Sequence, residues 1–258
     1  AGAWVLGLGP GAWGLGPEGN TSGDVAMSGS SSTLYCEFIN NSSLNGGGAI
    51  STGSPYIHNS VFINNFSNGP GGALQSGNNG GMELFNCLFL NNQSEQAGGA
   101  LTHSVVNSNS HPQNISDCYF IENTSVGRAS AINGTSRYGD GDTKFYISNS
   151  VFYNNICSNQ IEDGSLIRSN ILTSINGSYF FDNDVISSHA RLYNRVTGND
   201  NVFIFPKDQI ITKTTFSSGD VFNLENNYWN SKDSSYISSV TIDFFEDPNF
   251  LFPISDFM

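Results

Sequence analysis

Polar and hydrophobic positions recur along the chain in short blocks of the form Cys/Ser-x-Phe-x-x-Asn. The first residue of each block and the Phe are two positions apart, so they lie on the same face of a strand. No 3.6-residue periodicity is found, and the blocks therefore predict strands rather than helices. Six blocks occur, beginning at Cys36, Ser60, Cys87, Cys118, Ser150 and Ser178.

A second block, Gly-Gly-Ala-Ile/Leu, follows each of the first three copies and decays in the next two. From the Phe to the Ala of this block the chain takes eleven residues in the first four copies. The return from the Ala to the next Phe takes 13, 16, 20 and 21 residues. One side of the repeat therefore keeps its length while the other absorbs insertions, which is typical of a solenoid.

The repeat predicts an all-β, right-handed parallel β-helix of about seven coils with a C-terminal cap. Residues 1–19 are an apolar arm of different composition, residues 20–200 hold the repeats, and residues 201–258 cap the open end or dock against another subunit. Stacked coils would place the Phe rings in one column and the Asn amides in a hydrogen-bonded ladder. Whether Asn40 or Asn41 points inward stays open, because the chain turns a corner there. The ladder residues are Phe38, Phe62, Phe89, Phe120, Phe152, Phe180, Asn41, Asn65, Asn92, Asn123, Asn155 and Asn183.

Composition supports this class and excludes others. Hydrophobic residues make up 38% of the chain and charged residues only 12%, which fits an all-β protein with many turns. The formal net charge of −13 and the nine Lys and Arg residues argue against a nucleic-acid partner. No run of eighteen apolar residues occurs, so no membrane-spanning segment is predicted.

The two blocks carry a resemblance to known families. Cys36-Glu37-Phe38-Ile39-Asn40-Asn41 and Gly47-Gly48-Ala49-Ile50, with their successors over about residues 23–188, resemble the FxxN and GGAI repeats of polymorphic outer-membrane proteins. They are similar also to the adhesin-like surface proteins of methanogenic archaea. Glu225-Asn226-Asn227-Tyr228-Trp229-Asn230 looks like the element that often closes such β-helices. The resemblance implies a pectin-lyase-like fold and a surface, adhesion or envelope role, while the missing autotransporter barrel leaves the anchoring open.

Three of the four cysteines, Cys36, Cys87 and Cys118, occupy the first position of the block, where other copies have Ser. Exchange with Ser favours a small, buried free thiol. Cys87 and Cys118 belong to successive coils, whose separation of about 4.8 Å also allows a disulfide. We expect stacked free thiols, and the spacing supplies too few convergent ligands for a metal site.

The densest group of functional side chains is Arg137-Tyr138-Gly139-Asp140-Gly141-Asp142. Two carboxylates without a closing Glu match a Ca²⁺ loop only weakly, so a solvated turn is favoured and no cofactor is predicted. No pair of carboxylates indicates a catalytic site. The candidate ligand-binding loop, for a sugar or a partner protein, consists of Arg137, Tyr138, Asp140, Asp142 and Tyr146.

Two insertions from consecutive coils, residues 102–115 and 133–144, are expected to emerge side by side on one flank of the solenoid. Asn114 and Asn133 lie in them within Asn-x-Ser/Thr sequons and are candidate glycosylation sites. The four His residues are scattered over different coils and are expected to be structural or at the surface.

Three functions remain open at this point. The preferred one is an extracellular, cell-surface adhesin-like or envelope structural protein without catalysis, which binds a carbohydrate or a protein. The second is a self-assembling filament or sheath subunit, whose arm around Trp4 and Trp13 adds a strand to a neighbour. The third is a polysaccharide lyase or hydrolase, since such enzymes share this fold.

Overall fold

The fold is seen in a computed structural model. It describes residues 4–7, 27–28, 32–77, 81–105, 112–136, 144–158, 166–169, 172–183, 192–193, 196–204, 212–213, 227–228 and 241–242. These residues form strands and turns and contain no helix. The predicted parallel β-solenoid is confirmed, whereas its right-handed sense stays a prediction.

Four sheets run along the solenoid, three named for an inward-facing residue and the fourth for its length. The Phe sheet contains β1 (Trp4–Gly7), β4 (Cys36–Ile39), β8 (Val61–Ile63), β12 (Leu88–Leu90), β16 (Tyr119–Ile121), β20 (Val151–Tyr153), β24 (Tyr179–Phe181) and β27 (Val202–Ile204). The Leu sheet contains β2 (Met27–Ser28), β6 (Ile50–Thr52), β10 (Leu74–Gly77), β14 (Leu101–Val105), β18 (Ile132–Ser136), β22 (Ile167–Ser169) and β25 (Leu192–Tyr193). The Ile sheet contains β3 (Ser32–Leu34), β7 (Tyr56–His58), β11 (Met82–Phe85), β15 (Gln113–Ser116), β19 (Lys144–Ser148), β23 (Leu172–Asn176) and β26 (Val196–Thr197). The short sheet contains β5 (Ser42–Ser43), β9 (Phe66–Ser67), β13 (Gln93–Ser94), β17 (Thr124–Ser125) and β21 (Ile156–Cys157), and β28 (Thr212–Lys213) pairs separately with β29 (Thr241–Ile242).

Each coil passes through the sheets in one order: Ile sheet, Phe sheet, short sheet, Leu sheet. Seven parallel strands stack in the Phe sheet, but the short sheet has only five strands in the described part of the chain. Coils that are complete on all four sides are therefore fewer than the seven expected. In the sequence, the Gly-Gly-Ala block that follows this side in the first copies does not recur after the last two Phe strands, and residues 184–191 and 205–211 lie outside the described part of the chain.

The inward Phe residues form one continuous column, as predicted. Successive ring centroids are 4.7–5.0 Å apart, and the ring planes differ by 1–14°. The column continues to Phe203, which stacks on Phe180 and was not expected to belong to it. Each buried ring contributes about 1.5–3 kcal/mol from its removal from water, and stacking adds about 0.5–1.5 kcal/mol.

Two further inward columns belong to the same core. Ala49, Ala73, Ala100 and Ala131 are fully buried and precede the Leu-sheet strands. The Ile sheet contributes a column of branched side chains that are all without exposure, namely Ile57, Leu84, Ile115, Ile147 and Ile175. The side chains alternate between inside and outside along most of these strands, so the same inward position of successive coils forms each column.

The paired glycines lie where a side chain would strain the backbone or clash with the next coil. Gly71 has a φ of +75°, a left-handed conformation that glycine adopts without strain. A Cβ on Gly72 would lie 2.0 Å from the carbonyl oxygen of Gly99 in the next coil. The second glycine of the block is therefore needed because the backbones of adjacent coils nearly touch there.

The described ends of the solenoid extend the Phe sheet in different ways. β1 pairs antiparallel with β4, Trp4 opposite Ile39, within the same chain, rather than with a neighbouring subunit as the arm hypothesis expected. At the other end Tyr228 forms a parallel bridge to Val202 and accepts a hydrogen bond from the Phe203 N–H at 2.7 Å. The coil-to-coil pattern thus continues past residue 200, while most of the expected cap lies outside the described residues.

Candidate binding flank

The Asn ladder is continuous, and almost all of its polar atoms form hydrogen bonds. In each step the Nδ2 of one Asn donates to the Oδ1 of the next at 2.8–2.9 Å, from Asn41 through to Asn183. The backbone N–H of the same Asn donates to that Oδ1 as well, at 3.0–3.1 Å. The second Nδ2 hydrogen reaches back to a Phe carbonyl, for example from Asn92 to Phe62 at 3.0 Å. The Oδ1 of Asn41 at the first rung has no hydrogen-bond partner, whereas the Oδ1 of each following Asn accepts from the Asn of the coil before it. These residues therefore hold the coils together rather than face a ligand.

The structure decides which Asn of each pair points inward. Asn41 is buried, whereas Asn40 is exposed and has a φ of +57°. The left-handed residue turns the chain and directs the following Asn into the core. A second left-handed residue, such as Asn59 or Asn86, precedes each Phe strand, so both corners of the Phe sheet are made in this way.

The Cys/Ser exchange at the first block position has a simple explanation. Each side chain at this position donates to the carbonyl two residues earlier, as Cys36 does to Leu34 at 3.4 Å and Ser60 to His58 at 2.8 Å. A thiol and a hydroxyl both fit this small buried site. Cys157 shows the same exchange in the short sheet, where it follows a column of buried Ser residues.

The cysteines are buried free thiols in this structure. Burial raises the pKa of the Cys118 thiol well above its usual value, and burial also raises the pKa of Cys36. A thiol that stays protonated and buried is a poor nucleophile. Cys36 and Cys118 are therefore packing elements.

The two long insertions leave the same corner of consecutive coils. The first joins β14 to β15 and the second joins β18 to β19, always between the Leu and Ile sheets. The insertions are shorter than expected, residues 106–112 and 137–143, because the flanking strands reach further into them. The candidate residues Arg137, Tyr138, Asp140 and Asp142 lie outside the described residues.

Beside this corner the outward face of the Ile sheet carries two of the candidate residues. Tyr146 and Asn114 are direct register partners on β19 and β15, and both are exposed. Asn133, by contrast, lies in β18, is only 5% exposed and has its Oδ1 3.4 Å from the Arg168 guanidinium. Neither Asn lies in an insertion, which corrects the expected placement, and only Asn114 is accessible.

A buried polar cluster beneath the same corner was missed by sequence reasoning. His103 has no exposure, and its Nδ1 lies 2.6 Å from the Ser76 hydroxyl. The ring of Phe145 packs edge-on against it at 5.8 Å, and the Nε2 has no hydrogen-bond partner. Desolvation lowers the pKa of His103 to about 4, so the imidazole is neutral near pH 7. No repeat signal marks this position, since Thr52, Ser76 and Gly134 occupy it in neighbouring coils.

An exposed cluster lies on the Ile sheet nearer the first coils. The His58 Nε2 is 2.8 Å from the Glu83 carboxylate, and its ring lies 4.1 Å from Tyr56 and 5.4 Å from Phe85. Two of the four His residues are thus placed, one at the surface and one buried, while His111 and His189 lie outside the described residues.

No group of three or more His, Cys, Asp or Glu side chains is placed to hold a metal ion in the described ranges. The part of the chain that the structure describes also has no helix with the length and hydropathy needed to cross a membrane.

The first copy of the repeat matches the model of a known family. Residues 35–53, which include the first Phe strand and the first Gly-Gly-Ala block, match the model of the Chlamydia polymorphic membrane protein repeat. The match and the β-solenoid fit a polymorphic outer-membrane protein, or β-helix, repeat family. Neither a curated protein nor a solved structure matches the chain.

Proposed function

We propose that this chain is an extracellular, cell-surface protein with an adhesin-like or envelope structural role and without catalysis. The polymorphic membrane protein repeat supports a surface or outer-membrane location. The observation that carries the proposal is the exit of both long insertions from one corner of consecutive coils. In this proposal the solenoid is the scaffold, and the two insertions that leave it at one corner carry the binding function.

The division of labour among the side chains supports this role. The inward Phe, Ala and Asn columns form the contacts between coils. The insertion flank is the corner from which residues 106–112 and 137–143 leave, together with Tyr146 and Asn114 beside it on the Ile sheet. The sequence of the second insertion contains Arg137, Tyr138, Asp140 and Asp142. Aromatic and amide groups of this kind suit a carbohydrate or the surface of another protein.

The experiment is a binding array of glycans and host-surface proteins. In the test variant, residues 106–112 and 137–143 are each replaced by Gly-Ser-Pro, the connection that residues 53–55 make between the first coils. We expect this variant to keep the β-sheet circular dichroism spectrum and to lose binding. Leu44→Ser, a change at an exposed residue away from this corner, is the matched control.

Binding that survives the loop exchange would contradict the proposed site. Turnover of a glycan, dependent on Ca²⁺ and abolished by Asp140→Ala, would contradict the non-catalytic role and favour the lyase or hydrolase hypothesis.

A further inference from the structure

The outward face of the Phe sheet is apolar over its whole length. Each of the seven parallel strands directs two side chains outward, one before and one after its buried Phe. Thirteen of these positions are apolar or aromatic, and Glu37 is the exception: Ile39, Val61, Ile63, Leu88, Leu90, Tyr119, Ile121, Val151, Tyr153, Tyr179, Phe181, Val202 and Ile204. The equivalent outward positions of the Leu sheet are polar, namely Ser51, Gln75, Thr102, Asn133 and Arg168. The Ile sheet also has outward aromatic residues, such as Tyr56 and Phe85, but they stand among polar residues such as Glu83. Of these three sheets in the described part of the chain, the Phe sheet is therefore the one with a nearly continuous apolar outer face.

This face is open to solvent. Tyr119, Tyr153 and Tyr179 are 47%, 40% and 46% exposed. The strand β1 joins the sheet at its edge, and none of the other described strands pairs across the face. A contiguous exposed apolar surface of this extent marks an interaction site.

The borders of the face carry most of their acidic residues in the later coils. They are formed by the left-handed corner residues that flank each Phe strand. In the coils from β16 onward these include Asp117, Glu122, Asp182 and Asp200. Most of the other left-handed border residues are Asn, and none of those described is Lys or Arg. Tyr119 lies between two of these carboxylates, and Asp182 follows the strand of Tyr179. The strand of Tyr153 between them has Asn at both corners.

The dimensions of the face match an α-helix. Seven strands about 4.8 Å apart extend over about 30 Å, and strands of three residues are about 10 Å wide. A helix of about 20 residues is about 30 Å long and, with its side chains, about 10–12 Å in diameter. Such a helix covers the face when it lies along the solenoid axis, in a helix-on-sheet arrangement.

The charge of the borders selects the kind of helix. A helix with Lys or Arg on both sides of its apolar stripe places these charges beside the carboxylates. A second copy of this chain would instead bring the same carboxylates against them, and an anionic lipid surface would also be repelled.

We propose that the outward face of the Phe sheet binds a basic amphipathic helix of about 20 residues from another protein. The apolar stripe of that helix packs on Tyr119, Tyr153 and Tyr179, and its basic flanks pair with Asp117, Glu122 and Asp182. The site is separate from the insertion flank. It rests on the proposed function in one respect only, since the protein must be exposed at the cell surface for a partner to reach this face.

Two variants and one control test the proposal. The face variant carries Tyr119→Thr, Tyr153→Thr and Tyr179→Thr, since Thr keeps the strand preference but removes the ring. The border variant carries Asp117→Asn, Glu122→Asn and Asp182→Asn, which restores the residue that other coils have at these corners. Tyr56→Thr on the Ile sheet is the control, because this Tyr is equally exposed on another face.

The probes are two synthetic 20-residue helices with the same Leu stripe, one flanked by Lys and the other by Glu. Fluorescence anisotropy with the full chain should show binding of the Lys helix only, weakened at high salt. We expect the face and border variants each to weaken binding by about tenfold or more, and the control to match the unmodified protein.

Equal binding of both helices, or an unchanged affinity of the face variant, would overturn the proposal. A dimer in light scattering that the face variant converts to a monomer would assign the face to a second copy and would also overturn it. The loop-exchange variant should bind the Lys helix normally, so failure of this site and failure of the insertion flank are distinguishable.

Discussion

The two halves of each coil differ in whether they tolerate inserted residues. From Phe to Ala the chain takes eleven residues in the first four copies, whereas the return to the next Phe takes 13 to 21. In the first half the Asn amide and the second glycine each contact their counterparts in the next coil. An inserted residue would break both contacts, while an insertion in the second half leaves the adjoining strands in register. The fixed half therefore maintains the stack, and the variable half is available for function.

The largest expected effect comes from the Asn ladder. Asn92→Leu removes the Nδ2 donations to Asn123 and Phe62. It also leaves the Asn65 backbone N–H without its acceptor and takes one of the two acceptors from the Asn65 Nδ2. Each buried polar group left unsatisfied costs about 1–3 kcal/mol, so we expect a loss of about 4–6 kcal/mol in the free energy of unfolding. Urea denaturation of the variant and the unmodified protein measures this loss.

Asn91→Gly is the control for this prediction. Asn91 is the exposed, left-handed neighbour, and glycine adopts its φ of +53° without strain. A change of less than about 0.5 kcal/mol is expected at such a surface position. If the two variants were equally destabilised, the ladder would not be the feature that holds the fixed half.

The Phe column gives the next largest effect. Phe89 stacks on Phe62 at 4.7 Å and on Phe120 at 5.0 Å, with no exposure. Phe89→Ala opens a cavity in the middle of the column and should cost about 3–5 kcal/mol. Phe89→Leu retains much of the volume and should cost clearly less in the same denaturation experiment; an equal cost would show that volume is not what the position requires.

The columns could be predicted from the sequence because a repeat at constrained spacing directly reports which residues stack. The inward direction of Asn41 could not be predicted, since a left-handed corner residue interrupts the alternation of inward and outward side chains on which such a prediction depends. Phe203 was missed because its block begins with Asn201 and has no Asn three residues later. His103 was missed for a different reason: the residues stacked on it are unlike one another, so no column is visible in the sequence.

The buried His103 makes the variable half sensitive to acid. Above pH 6.5 the imidazole is neutral in both the folded and the unfolded chain. Between pH 6.5 and about 4 the unfolded chain binds a proton that the folded chain does not, because burial lowers the folded-state pKa to about 4. The free energy of unfolding should fall by about 3 kcal/mol in total as the pH decreases through this window.

His103→Gln tests this dependence. Acidic groups elsewhere contribute equally to both proteins, so the measured quantity is the difference between the two denaturation curves from pH 7 to pH 4. The difference should change by about 3 kcal/mol in favour of the variant as the pH decreases. A difference that is constant with pH would show that His103 is not the titrating group.

The smallest effect, and the most direct comparison of the two halves, comes from two glycines in one coil. A Cβ on Gly72, in the fixed half, meets the Gly99 carbonyl oxygen at 2.0 Å and the Gln93 backbone at 2.7 Å. Gly77, in the variable half, offers its nearest contact at 3.1 Å from the Ser104 carbonyl oxygen. Gly72→Ala should cost about 2–3 kcal/mol, because both obstructing groups belong to backbone that is itself hydrogen-bonded between coils. Gly77→Ala should stay within about 0.5 kcal/mol of the unmodified protein, since a small shift of one strand end relieves the contact. Thermal unfolding of the two single variants measures both, and equal destabilisation would mean that the second half of the coil is as tightly constrained as the first.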